Sequence, residues 1–187
     1  MSKIRTFIAV EIPQQVRQNI AAVQNAFKKE QDHLRWTKPD NIHLTLKFLG
    51  DVEEDKIEAI ADAVDTGAQS LVAFNCLVEE LGAFPNFNRA RVLWVGITDP
   101  QNQLTNLAQK IDHELGKMGF PREKRKFSPH LTIARVKSRL SENFVARLQQ
   151  EAFHGGEVRV AEIVVVKSDL KPRGAEYTVL KRIRLRD

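Results

Sequence analysis

Two short stretches of this sequence repeat one pattern of chemically capable side chains: His43-Leu44-Thr45-Leu46 and His130-Leu131-Thr132-Ile133. An imidazole titrates near neutrality and can take or give a proton, and a threonine hydroxyl can donate a hydrogen bond to an oxygen gathering negative charge. Two of each suit in-line displacement at phosphorus. One imidazole takes a proton from an attacking water, the other gives one to the departing oxygen, and the hydroxyls meet the equatorial oxygens. With five His and eight Thr in 187 residues, chance placement gives about 0.2 His-x-Thr occurrences. Two copies, each with apolar residues at both x positions, lie well outside that expectation. Taken singly, either histidine could equally be a structural strand residue satisfied by hydrogen bonds; the symmetric pair favours chemistry.

Both stretches read as β-strands, and the elements around them must place them. Period-two geometry puts His43, Thr45 and Lys47 on one face and Leu44, Leu46 and Phe48 on the other, and likewise separates His130 and Thr132 from Leu131 and Ile133. The apolar faces belong to cores, and the polar faces need water or hydrogen-bond partners. Residue 130 lies 87 positions after residue 43, close to half the chain. Two similar lobes related by an approximate two-fold would turn both polar faces toward one cleft. Lys47 is then either a phosphate contact or a solvated strand lysine. Neither motif has a carboxylate on its histidine face, and the zinc-type spacings His-x-x-x-His and Cys-x-x-Cys are absent.

The rest of the chain alternates strands and helices. Residues 4–10 read as a strand, and Val16, Ile20, Val23 and Phe27 as one helical stripe over 14–30. A loop is expected around Trp36 to Asn41, a strand over 42–49 closed by Gly50-Asp51, then a helix marked by Ile57, Ile60, Val64 and Ala68. Strands 71–81 and 90–97 flank the turn-rich FPNFNR as a hairpin. Leu104, Leu107, Ile111, Leu115 and Met118 mark a helix ending near Gly119, and a strand follows over 130–136. Phe144, Leu148 and Ala152 suggest a shorter helix, and 157–167 and 176–185 read as two closing strands. This alternation, with several hairpins, argues for α/β or α+β layering, with helices covering sheet faces.

Composition is that of an ordinary globular protein, 42% hydrophobic and 28% charged, which excludes a disordered or fibrous chain. The formal charge of +5 favours phosphate-bearing partners. Cys76 is the sole cysteine, so an intramolecular disulfide is excluded and a cytoplasmic setting is the default. The N-terminal apolar run is broken early by Glu11 and Pro13, too soon for a signal peptide or a membrane span. The run Arg122, Lys124, Arg125, Lys126 is either a guide for a phosphate-bearing backbone or a solvated loop. Arg182, Arg184 and Arg186 either extend the positive surface or keep a terminal strand from pairing with other chains. Phe7, Phe48, Phe84, Phe87 and Trp36 are candidate base stackers, with core packing favoured for most. His33, His113 and His154 have no such context.

Together the two motifs, RTFIAVEIP, HLTLKFLG, ARVLWVGI and FSPHLTIAR resemble the 2H phosphoesterases, and among them the RNA 2′,3′-cyclic phosphodiesterase family (ThpR or LigT), historically called 2′-5′ RNA ligase. The resemblance runs from Arg5 to about Leu180. It implies a bilobal fold over residues 1–187, with two antiparallel sheets flanking a cleft, helices outside, and one motif per lobe at 43–46 and 130–133. It also implies hydrolysis of RNA or nucleotide 2′,3′-cyclic phosphates to 2′-phosphomonoesters, with reversible 2′-5′ ligation, no metal and no cofactor. His43 and His130 become the acid/base pair, Thr45 and Thr132 the phosphate ligands. Arg135 is a possible substrate contact, although strand parity points it away from His130. The implied partner is RNA with a cyclic phosphate terminus; the protein is expected to be a monomer with no obligate protein partner. A non-catalytic RNA-binding module would need neither both histidines nor both threonines, and a metal-dependent phosphoesterase would need carboxylates that the motifs lack.

Overall fold

In the computed structural model, which describes residues 2–30, 33–172 and 174–187, two antiparallel sheets form the framework. The four-stranded sheet runs β3 (His43–Glu53), β1 (Lys3–Glu11), β8 (Glu162–Lys171), β9 (Gly174–Arg184). The five-stranded sheet runs β2 (Leu34–Trp36), β6 (His130–Val136), β5 (Val92–Thr98), β4 (Phe74–Phe84), β7 (His154–Val160). Four helices accompany them: α1 (Gln14–Lys28), α2 (Ile57–Ala68), α3 (Gln103–Lys117) and α4 (Glu142–Gln150). Leaving β2 aside, the order β1-α1-β3-α2 is repeated as β5-α3-β6-α4, and the second strand of each unit carries a His-x-Thr motif. The protein is α+β, one of the two layerings that the alternation left open and the one that the resemblance implies.

The helices form where the apolar spacing places them, except that Met118 and Ala152, expected on the third and fourth stripes, lie past the ends of α3 and α4 and are exposed. Val16, Ile20, Val23 and Phe27 are all buried on α1, and Ile57, Ile60, Val64 and Ala68 on α2. Ser141 caps α4 by accepting a hydrogen bond from the Phe144 amide. Gly67 lets α2 approach α3 closely, since a Cβ there would stand 3.1 Å from the Ile111 backbone.

The two units interlock. Helix α1 leaves β1 of the four-stranded sheet but packs against β7 of the five-stranded one. Its buried Gln24 donates to the carbonyls of Thr37 and Ile133, both at 2.9 Å, and its Asn19 donates to Gly155 at 2.9 Å. Helix α3 leaves β5 and packs against α2 and β3 on the opposite side. One continuous core therefore joins residues from both sheets, such as Ile8 and Val95.

Besides ends that shift by a few residues, such as β4 over Phe74–Phe84 in place of 71–81, three features differ from the sequence reading. Residues 157–167 are not one strand. The chain breaks at Ala161 and passes from β7 in one sheet to β8 in the other, a switch that the valine- and isoleucine-rich composition on both sides of it conceals. Trp36, read as the start of a loop, instead ends the edge strand β2, which it forms on β6 with Leu34 and Arg35. Strand β3 runs through Gly50, whose φ of +74° accommodates a bulge against Thr6 and Phe7 rather than a stop. Among the described residues no helix is long and apolar enough to cross a membrane.

Candidate active site

The two motif strands share a structural device just past the threonine. On β3, Ile8 pairs with Lys47 and the next residue, Ala9, pairs with Thr45, so Leu46 is an extra residue. On β6, Leu93 pairs with Ala134 and Trp94 with Thr132, so Ile133 is extra in the same place. These β-bulges reverse the in/out alternation beyond them. Leu46 and Lys47 are consecutively buried, as are Ile133 and Ala134, and the following Phe48 and Arg135 rejoin the histidine face.

Three expectations are corrected by this. Arg135 lines the same cleft as His130 rather than facing away. Phe48, assigned by parity to the apolar side, is half exposed in that cleft. Lys47 faces the core, where its Nζ donates to Asp112 Oδ1 at 2.5 Å and to the Pro121 carbonyl at 2.7 Å. It does not meet the cleft.

The cleft has a volume of about 390 Å³, within the range of small-molecule sites. His43, Thr45, His130 and Thr132 all line it, with strands of both sheets as its walls. Each histidine is anchored alike: His43 Nδ1 donates to the carbonyl of Asn41 at 2.8 Å, and His130 Nδ1 to that of Ser128 at 2.7 Å. A carbonyl only accepts, so Nδ1 carries the hydrogen and Nε2 is left to exchange a proton with a bound molecule. Burial pushes the His43 imidazole down to about 4, against the pull of the Asn41 hydrogen bond, so the ring is neutral at physiological pH. Its ring stacks on Phe7 at 4.6 Å and meets Tyr177 edge-on at 5.1 Å. Phe84 meets His130 edge-on at 4.9 Å.

Several lining residues were not singled out by sequence: Arg5 and Tyr177 from β1 and β9, Arg35 from β2, and Lys38 and Asn41 from the turn after it. Arg5 lies over the Phe48 ring at 4.6 Å. Burial raises the Tyr177 pKa while the charges of Arg135 and Arg5 oppose that shift, so the phenol keeps its proton. Period-two position on β1 could have flagged Arg5 beside Phe7; Arg35 and Tyr177 depend on pairings distant in sequence. The lining contains no Asp or Glu among the described residues, and no cluster of three or more His, Cys, Asp or Glu there could hold a metal.

Of the other candidates, Trp36 and Phe7 line the cleft, while Phe87 packs against the core. Arg122 Nε is bound to Asp112 Oδ2 at 2.6 Å, and Lys124, Arg125 and Lys126 lie outside the lining. Burial disfavours a charged Asp112, but hydrogen bonds from Lys47, Arg122 and the Glu123 amide hold its carboxyl below the usual carboxylate range. On the edge strand β9, Arg182 is paired with Glu11 and with Glu162 at 2.6 Å. That neutralises much of the positive stripe expected there.

The model of the LigT like phosphoesterase family matches the chain twice, over residues 10–94 and 95–177, so each match contains one motif. A protein of Methanothermobacter thermautotrophicus named RNA 2′,3′-cyclic phosphodiesterase is 34% identical over 185 residues, spanning 98% of this chain and all of that one. An Aquifex aeolicus protein of the same name is 32% identical, spanning 99% of both. Among solved structures, TT0787 of Thermus thermophilus superposes with a TM-score of 0.83 at 26% identity over 98% of both chains. E. coli LigT complexed with 3′-AMP does so with a TM-score of 0.83 at 25% identity over the whole of both. With both halves matched and relatives aligned end to end, the chain belongs to the LigT like phosphoesterase family.

Proposed function

We propose that the protein hydrolyses 2′,3′-cyclic phosphates on RNA ends or nucleotides to 2′-phosphomonoesters, with His43 and His130 as a metal-independent acid/base pair. The observation that carries this reading is the paired geometry: two bulged strands present His and Thr to one cleft, with both imidazoles fixed through Nδ1. Water attacks phosphorus and its proton passes to one Nε2. The bond from phosphorus to O3′ breaks in line, and the other imidazole gives O3′ its proton. Thr45 and Thr132 donate to the equatorial oxygens, and the surrounding cations favour the charge that develops there. An RNA 5′-hydroxyl in place of water would give the 2′-5′ linkage by the same exchange of bonds. Relatives that carry the name RNA 2′,3′-cyclic phosphodiesterase support the reading, as does the carboxylate-free, cation-rich lining.

The same proposal takes residues 1–187 as one bilobal unit, monomeric, cytoplasmic and without an obligate protein partner. It is tested by incubating the protein with an oligonucleotide bearing a 2′,3′-cyclic phosphate in EDTA and locating the product phosphate. Continued turnover to the 2′-phosphate is expected. No hydrolysis would sink the activity, and loss with chelator that metal restores would sink the metal-free mechanism.

A further inference from the structure

The cleft holds more positive charge than its reacting group requires. Arg5, Arg35, Lys38 and Arg135 line it, none of them in an ion pair among the described residues, whereas a cyclic phosphodiester carries a single negative charge. Two of these cations are placed in direct opposition. Arg35 pairs with Arg135 across β2 and β6, and like charges facing each other weaken strand pairing. Strand β2 is only three residues long and pairs with β6 alone, so this edge has little else to hold it. A bound anion would remove the repulsion.

Position separates this pair from the reacting centre. Counted along β5, Arg135 faces Val92, two residues from Trp94 opposite Thr132 and four from Gly96 opposite His130. Those steps are about 7 Å and about 14 Å of strand, and β2 lies about 4.8 Å further out. That offset leaves room along the strand for a second phosphate beside the one at the reacting centre. Guanidinium groups grip phosphate oxygens in a planar fork.

We propose that Arg35, set against Arg135, binds the phosphate on the 5′ side of the terminal nucleotide and so selects RNA ends over free cyclic mononucleotides. The inference rests on the hydrolytic reading given under Proposed function.

Three substrates test it: a nucleoside 2′,3′-cyclic phosphate, the same compound with a 5′-phosphate, and a dinucleotide ending in the cyclic phosphate. The second and third are expected to exceed the first at least tenfold in kcat/KM, mainly through KM, with an advantage that falls as salt rises. In Arg35→Gln that ratio is expected to shrink at least fivefold, and Arg35→Lys should recover part of it. A wild-type protein indifferent to the 5′-phosphate overturns the proposal, as does an Arg35→Gln variant that keeps the full preference. Titration of nucleoside 2′,5′-bisphosphate against nucleoside 2′-monophosphate reads the same site without turnover. Tighter binding of the bisphosphate, lost in Arg35→Gln, supports the site even if no cyclic phosphate is hydrolysed; equal binding in the wild type overturns it.

Discussion

A neutral imidazole held by its own backbone is a stable arrangement only while the pH stays high enough. An unfolded histidine titrates near 6.5, whereas folded His43 resists protonation until about 4 because the core and Phe7 exclude water from it. Between these values the unfolded chain binds a proton that the folded chain does not. The contribution of His43 to stability is therefore level above pH 6.5 and declines as the pH falls toward 4, by roughly 3 kcal/mol in all. Urea unfolding midpoints at pH 7 and pH 4.5 should show this fall in the wild type and a clearly smaller one in His43→Gln. The proposed mechanism uses this ring together with that of His130. His43→Ala and His130→Ala are each expected to lower kcat by about 10²- to 10⁴-fold with an unchanged circular dichroism spectrum. A variant with near-normal turnover would remove its histidine from the mechanism.

Among the elements, the bulges at Leu46 and Ile133 decide what the motif strands present to the cleft. The bulge on β3 sends Lys47 inward, where Asp112 of α3 receives it, so a buried ion pair fixes a motif strand to a helix of the other unit. Removing one partner strands a buried charge. Asp112→Ala is expected to destabilise by about 3–5 kcal/mol, and the double variant Lys47→Met/Asp112→Leu to regain most of that, both read from chemical denaturation. A smaller support lies beneath Thr132, where its strand neighbour Trp94 spreads over Gly82. A Cβ at Gly82 would fall 2.1 Å from the indole ring, so Gly82→Ala should cost about 1–3 kcal/mol and lower activity as the ring is displaced.

These elements also mark how far the sequence could be read. Helical stripes and the His-x-Thr pairs depend on local periodicity, and they appear where the spacing places them. The bulges do not, because an extra residue is defined by its partner strand: Leu46 by Ile8 and Ala9, Ile133 by Leu93 and Trp94. Parity taken past them misplaces Lys47, Phe48 and Arg135 together. The passage from β7 to β8 left one trace, a spacing of three between the buried Val160 and Ile163 where a single strand would keep two. Arg35 was hidden because three residues are too few to show a strand period.

For the whole molecule, the exchange of α1 and α3 between sheets makes the two halves mutually dependent. Neither sheet covers its own core face with its own helices alone, so unfolding is expected as one transition. Both tryptophans, Trp36 and Trp94, lie in the five-stranded sheet, whereas circular dichroism reports on all elements. Coincident denaturation curves from the two probes are the expected result; an earlier fluorescence transition would show that the sheets come apart separately.

Pairing of β1 with β8 also has a consequence in time. Thr6 lies opposite Lys167, so β1 waits about 150 residues for its neighbour. Until β8 is made, β1 offers an open edge that carries Ile8, Ala9 and Val10, and α1 lacks the β7 surface it covers. A ribosome-bound chain stalled before residue 162 should accordingly be digested readily by protease, whereas the released protein resists. Completion of this fold therefore awaits synthesis of β8, and until then the first strand must be kept from other partners.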